Sequence, residues 1–426
     1  MALAEDANGV RGVSGTVLLL GTFDTKGEEY AFVHSAIIER GCEVLTMDIG
    51  VFDTGHAAPF HVDVTADAVA HAGGSSLGEL RTNADRGAAV GVMLHGARTL
   101  VKELFAAHKF DGVLGLGGGG GTTMITAAMR ELPVGVPKLM VSTMASGNMA
   151  PYVDVKDITM MYSVVDIAGV NPISAQILRN AAGAICGMVA MHESPARRPG
   201  RPMIAATMFG VTTPCVTAAR KRLEAAGYDV LVFHATGSGG RAMESLIDDG
   251  FFAGVLDVTT TEWCDEVVGG VLSAGPDRLS AAGRQGIPQV VSVGALDMVN
   301  FGGIETVPAP FRDRTLYTHN ATVTLMRTSP DECREIGRRM MAQLARAKGP
   351  VVLLLPLRGV SMLDAEGQPF FDAEADGALF QSLRDHASPN ITIREIDAHI
   401  NDLSFAHALA DALLAELKSP LAPRAS

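Results

Sequence analysis

Five consecutive glycines, Gly117, Gly118, Gly119, Gly120 and Gly121, stand between an apolar stretch and a helical pattern in DGVLGLGGGGGTTMITAAMREL. Without side chains, such a run leaves backbone N–H groups facing outward, and Thr122 and Thr123 then open a helix. A helix N-terminus carries free amides and the positive end of the helix dipole, so it suits a phosphate or carboxylate. The pattern predicts an anion site, most naturally for the phosphates of a nucleotide. The competing reading is a tight strand-to-helix turn with nothing bound, for which five glycines would be conformationally expensive.

Other polar residues follow predicted strands, where ligands collect in doubly wound sheets. In the first half these are Thr22, Asp24, Thr25 and Lys26, then Asp48, then Ser142, Thr143, Ser146, Gly147 and Asn148 within STMASGN. Lys26 could neutralise phosphate oxygens, and Asp24 or Asp48 could hold Mg2+ or a ribose hydroxyl. Asp24 could equally cap a helix. No Gly-Lys-Ser/Thr follows the glycines, so there is no Walker A loop, and no strict GxGxxG opens a βαβ unit.

In the second half the corresponding ends carry His234 and ATGSGGRAME, then Asp257, Thr259, Thr260, Thr261 and Glu262. Further on come Asp297 and Asn300, His319 and Asn320, then Arg358, Ser361 and Asp364. Asp257, Glu262, His319 and Arg358 are the candidates for acid–base work and anion binding. Thr259, Thr260, Asp297, Asn300, Asn320, Ser361 and Asp364 are the candidates for substrate contact. All are read as lying on loops, and each alone has an ordinary structural explanation. His56 and His61 make a poor zinc pair in a proline-containing loop.

These residues need a scaffold. TVLLLGTFD reads as a buried parallel strand from Thr16 to Asp24, followed by a helix from Glu28 to Arg40 and the strand CEVLTMDIG. A long helix over Ala84–His108, a strand over Gly112–Leu116, the glycine loop with its helix and a strand over Pro137–Thr143 come next. Asn171–Met191 reads as an apolar helix. Alternating strands and helices predict a parallel sheet covered on both faces. The pattern then repeats: PMIAATMFGVTTPC echoes TVLLLGTFDTKGEE, FAGVLDVTTTEW echoes FDGVLGLGGGGGTT, and GIPQVVSVGALDMVN echoes GVPKLMVSTMASGN. The prediction is therefore an α/β protein of two Rossmann-like, doubly wound parallel-sheet subdomains related by internal duplication. Residues 14–191 form the first and 202–418 the second, with 1–13 as a tail and 192–201 as a linker. The second copy replaces the glycine run with DVTTTE, so the two copies should not bind one ligand in one way. A last block, Gly349–Glu416, is read as extending the second sheet.

A formal net charge of −13 argues against a nucleic-acid surface. Five scattered cysteines without CxxC spacing, and no apolar leader or uninterrupted run of membrane-spanning length, predict a cytoplasmic chain without a membrane role.

GTFDTKGEE, MDIGV, GLGGGGGT, STMASGN, HATGSGGRAME, GALDMVNFG and PLRGVS together resemble one group over about Thr16–Glu416. It is the ATP-binding domain family named after the tomato mosaic virus resistance protein. The resemblance implies two Rossmann-like subdomains, ATP bound in the first of them, and a homodimer. ATP binding carries over to Thr22, Asp24, Thr25 and Lys26, the glycine run with Thr122 and Thr123, and STMASGN. The expectation is an ATP-binding protein, with Mg2+, that acts on or senses a small acidic metabolite through its second subdomain. One alternative is a non-catalytic, ATP-dependent partner-binding protein; another is an ATP-independent acid–base isomerase or hydrolase.

Overall fold

A computed structural model describes residues 15–52, 58–83, 85–192 and 200–418. The predicted tail, most of the predicted linker and His56 lie outside the described residues. The chain divides into two compact units between residues 198 and 199.

In the first unit the elements run β1 (Thr16–Gly21), α1 (Phe23–Ile38), β2 (Glu43–Asp48), α2 (Ala66–Ala72), α3 (Leu77–Asn83), α4 (Arg86–Ala106), β3 (Gly112–Gly117) and α5 (Gly119–Met129). After these come β4 (Lys138–Ser142), α6 (Ala150–Val153), β5 (Thr159–Tyr162) and α7 (Pro172–Met191). The five strands pair in parallel in the order β2-β1-β3-β4-β5. Strand alternation decides which helices cover each face. Val17 and Leu19 point to α1 and α7, among Tyr30, Ile37, Leu178 and Ile185. Leu18 and Leu20 point to α2, α4 and α5, among Val69, Met93 and Ile125. Helix α7 is long and apolar enough by composition to cross a membrane. Yet Leu178, Ala181, Ala182, Ile185 and Val189 on one side of it belong to the core of this unit.

In the second unit β6 (Met203–Met208), α8 (Thr213–Ala225), β7 (Asp229–His234), α9 (Ser238–Asp248), β8 (Gly254–Thr259), α10 (Glu262–Val268), α11 (Ala281–Gln285) and β9 (Gln289–Gly294) come first. Then follow β10 (Met298–Phe301), β11 (Leu316–Asn320), β12 (Val323–Arg327), α12 (Pro330–Leu344), β13 (Val351–Pro356), α13 (Ala373–Asp385), β14 (Ile391–Ile396) and α14 (Leu403–Lys418). Six strands form a parallel sheet, β14-β13-β9-β8-β6-β7. Taken from the other edge, β7-β6-β8-β9-β13 repeats the first unit's β2-β1-β3-β4-β5, as the sequence echoes require. The last block does extend this sheet, through β13 and β14.

The structure corrects several expectations. Strand β1 ends at Gly21, and helix α1 starts at Phe23 rather than Glu28. Phe23 is buried, and its amide donates to Asp48 Oδ1, while the Thr22 carbonyl accepts from Lys26 N. Lys26 itself leaves helical geometry (φ −133°, ψ 28°), so the helix kinks there, before the stretch in which the sequence pattern becomes regular. A separate antiparallel sheet, β10-β12-β11, was not predicted. It moves Asn300, His319 and Asn320 from expected loops onto strands, and Asp257 and Thr259 sit within β8 itself.

Candidate functional site

The ends of β1, β2 and β3 in the first unit, together with α3 and α4, enclose a cavity of roughly 630 Å³. Its polar rim is Thr22, Asp24, Thr25 and Lys26 with Gly118, Gly119, Gly120 and Gly121. Ile49, Val51, Phe52, Leu80, Val90 and Met124 supply an apolar wall. That size and lining suit a small organic ligand with a polar end.

The glycines divide into two kinds. A side chain at Gly115 would lie 2.4 Å from Ile125 Cγ2, and one at Gly117 would lie 3.0 Å from Gly121 Cα, so packing requires both to be glycine. Gly118 to Gly121 are different. None has a positive φ. A Cβ on Gly118 would approach nothing nearer than Thr143 Oγ1 at 3.7 Å, and on Gly120 nothing within 4 Å. The fold does not need glycine at these positions. Gly118 is the N-cap of α5 and has no side chain to satisfy the first-turn amides, which have no acceptor inside the helix.

The neighbouring predicted residues hold this turn in place. Thr122 and Ser142 are fully buried, and their hydroxyls meet at 2.7 Å, tying the loop to the end of β4. Thr143 N donates to Gly117 O at 3.3 Å, and Thr123 Oγ1 donates to Gly119 O at 2.9 Å. Thr25 Oγ1 donates to Thr22 Oγ1 at 3.0 Å. Ser146, Gly147 and Asn148 are exposed and lie outside the cavity lining.

The expected charged contacts are engaged with the backbone. Lys26 Nζ donates to Ile167 O at 2.5 Å. Arg81, on the opposite wall, donates to Val51 O at 2.7 Å and Phe52 O at 3.1 Å. Asp48 Oδ1 accepts from Phe23 N and Gly50 N; burial raises its pKa against the pull of those amides, and Asp24 adds to the rise. Asp24 Oδ2 accepts from Phe52 N at 2.8 Å, and its Oδ1 is buried against Gly50. Both carboxylates thus clamp the Ile49–Phe52 wall, and Asp24 Oδ1 is buried with no hydrogen-bond partner among the described residues. Among the described residues no group of three His, Cys, Asp or Glu side chains could hold a metal ion.

In the second unit the candidates fall into two buried clusters and several separate positions. Asp257 and Glu262 meet around Arg278: Nη1 and Nη2 donate to Asp257 at 2.5 and 2.7 Å, and Nε donates to Glu262 at 2.6 Å. Glu244 joins at 3.2 Å. Burial raises the Glu244 pKa, although Arg278 opposes the rise. Thr259 bonds Thr212, and Thr260 donates to Ser292 O, so both are structural parts of the same buried region. A second cluster gathers Asp297, Ser361 and Asp364 with Arg327 and Asp376; Ser361 donates to Asp297 at 2.7 Å and Arg327 donates to Asp376 at 2.5 Å. Asn300 belongs to neither and holds Asp265 at 2.7 Å. His319, Asn320 and Arg358 are exposed, the last paired with Asp397 at 2.6 Å. The four residues expected to do acid–base work are therefore not assembled together: two share Arg278, and two lie on separate surface elements.

Residues 15–194 match the N-terminal domain, and residues 201–417 the C-terminal domain, of the Uncharacterised protein family (UPF0261). The chain belongs to the UPF0261 family. A UPF0261 protein of Clostridium tetani is 53% identical over 93% of this chain and 98% of its own length. The ToMV resistance protein Tm-1 of Solanum lycopersicum is 40% identical over 94% of this chain and 56% of its own length. A Streptomyces glycosyltransferase, SsfS6, complexed with thymidine diphosphate aligns over 95% of each chain at 13% identity, with a TM-score of 0.20, which carries no argument about the ligand.

In this UPF0261 chain, sequence reasoning passed over the cavity wall and the two buried arginines. Val51, Phe52, Leu80 and Val90 look like ordinary core residues until the fold lines them up. Arg278, in AGPDRLS, gives no sign of its three partners. The second cluster has a pH signature. Asp297 is pushed up to about 7 and Asp376 to about 8, in each case mainly by burial and then by the charge of Asp364. Burial also lifts Asp265 to about 7. An acid whose pKa rises on folding holds its proton more tightly in the fold than in the unfolded chain. The stability it confers is complete below the ordinary value of 3.8 and is lost as pH climbs through 7 and 8. Trp263, the single tryptophan, is buried in this unit and reports on it. Its fluorescence should show a urea midpoint that falls between about pH 4 and 8, and Asp297→Asn should flatten the fall. A midpoint constant over that range would contradict the assignment.

Proposed function

We propose that the first unit binds an adenine nucleotide, its phosphates on the amides of Gly118 to Gly121 and its base against the wall formed by Val51, Phe52, Leu80 and Val90. One observation carries this reading: four successive glycines whose Cβ positions face open space or distant atoms, in backbone any residue could adopt, beside a cavity. Glycine there keeps room for something outside the chain. An uncapped helix start supplies N–H donors for an anion, and the sequence resemblance supports ATP as that anion.

Binding without group transfer is the reading the geometry favours. Lys26 and Arg81 donate to backbone carbonyls, and Asp257 and Glu262 are closed by Arg278. A nucleotide-dependent partner interaction fits this arrangement better than phosphoryl transfer to a metabolite. The test is calorimetry of the full chain with ATP, ADP and AMP, with and without Mg2+, followed by an assay for ADP release. Saturable heat with micromolar affinity and no ADP release is the expected result. Absence of heat from the folded protein with every nucleotide would sink the proposal, and steady ADP release would overturn its non-catalytic half. Because the Lys26 ammonium is held by Ile167 O, Lys26→Ala should weaken ATP binding by less than about tenfold, or about 1.4 kcal/mol, in the same titration.

A further inference from the structure

Counting from the start of their equivalent strands, Gly120 in the first unit corresponds to Glu262 in the second. Gly120 faces open space beside the cavity. Glu262 instead sends a carboxylate into the counterpart crevice, formed by the ends of β7 and β8. There Oε1 accepts from Gly237 N at 2.8 Å and Gly240 N at 3.1 Å, the amides at the start of α9, and Oε2 accepts from Arg278 Nε at 2.6 Å. Glu262 and Arg278 are each 1% exposed. A Cβ on Gly240 would lie 2.3 Å from Glu262 Oε1, so the glycine-rich GSGGR turn is shaped around this carboxylate.

We infer that the second unit contains a carboxylate-binding site, the counterpart of the first unit's open cavity, whose permanent occupant is the chain's own Glu262. Two amides of a helix N-terminus and one buried guanidinium form a complete donor set for a carboxylate. Tethering makes binding intramolecular, so occupancy needs no free ligand. The second unit therefore takes no nucleotide at this place, and a small carboxylate enters only when Glu262 is removed.

Glu262→Ala deletes a fragment equivalent to acetate and leaves the three donors in place. In the full chain, with unfolding followed by Trp263 fluorescence, acetate should raise the midpoint of Glu262→Ala by roughly 2–4 °C over equal chloride and leave the wild type unmoved. Carbon-13 acetate should show one saturable site in Glu262→Ala and none in Glu262→Gln, whose amide oxygen still fills the crevice. If Glu262→Ala does not fold in chloride, refolding from urea in acetate should recover it. Equal behaviour in acetate and chloride, or acetate binding as strong in the wild type, overturns the inference. These readouts concern acetate and the second unit, so their failure leaves nucleotide binding in the first unit untouched, and the reverse also holds.

Discussion

Gly120→Glu should fold and lose the adenine-nucleotide binding proposed for the first unit. The Cβ at this position meets no atom within 4 Å, and a carboxylate in the first turn of α5 interacts favourably with the helix dipole, so the fold has no reason to object. The new side chain would place an anion beside the amides assigned to phosphate, whereas Glu262 in the second unit reaches the amides at the start of α9. Competition from a tethered carboxylate, added to charge repulsion, should weaken adenine-nucleotide binding at least 100-fold, about 2.7 kcal/mol. Gly120→Ala makes the complementary case. Alanine favours a helix over glycine by about 0.5–1 kcal/mol, so thermal stability should hold or rise while affinity falls through lost room for the phosphates. Calorimetry and thermal unfolding on the same preparations separate the two effects. If both variants bind ATP as the wild type does, the glycine run is not the phosphate site. If both unfold, the open space at Gly120 is not what the geometry describes.

The contrast between these two substitutions rests on a distinction that sequence alone could not draw. Five glycines in a row read as one feature, yet Gly117 is fixed by contact with Gly121 while Gly118 to Gly121 are free of steric demand. Periodicity found the sheet of each unit because buried parallel strands such as TVLLLG and VVLLLP are continuous apolar runs. The repeat found the shared strand order, because insertions such as the extra helices between β2 and β3 fell between strands and left the strands themselves alike. What escaped was whatever depends on partners distant in sequence. The β10-β12-β11 sheet joins a short hairpin, β11 and β12, to the sequence-distant β10, and each strand is too short for alternation to register. The Asp24 carboxylate looked like a metal ligand because Asp, Thr and Lys cluster after β1. Only the fold reveals that Phe52 N, on the far side of β2, takes it.

The duplicated units also bear on each other's chemistry. One unit has a glycine ridge and a cavity; in the other, Asp257 stands at the position of Gly115, Thr259 at that of Gly117 and Glu262 at that of Gly120. Each puts a polar side chain where the first unit has none, and Arg278 is the residue that makes the set tolerable. Asp257 and Glu262, candidates for acid–base chemistry from their position after a strand, are both buried and held by Arg278.

Arg278→Met should therefore cause the largest loss of stability in this chain. The guanidinium is fully buried between Asp257, Glu262 and Glu244, and it is held protonated because the attraction of those carboxylates outweighs the cost of burial. Methionine keeps much of the volume and removes the charge, leaving three carboxylates without a cation. Breaking a buried pair by deleting one partner costs about 3–5 kcal/mol. The loss should appear as an early transition in Trp263 fluorescence, one residue along α10 from Glu262. Its pH dependence supplies the decisive sign. Without Arg278 nothing opposes the burial that raises the Glu244 carboxyl, so the variant should be most stable at low pH and should weaken as pH rises. Adding Asp257→Asn, Glu262→Gln and Glu244→Gln to Arg278→Met should recover part of the loss and remove that slope, because neutral amides can be buried without a counter-charge. A variant that unfolds within about 1 kcal/mol of the wild type, or one whose loss is the same at every pH, would mean that packing and not charge holds this crevice shut.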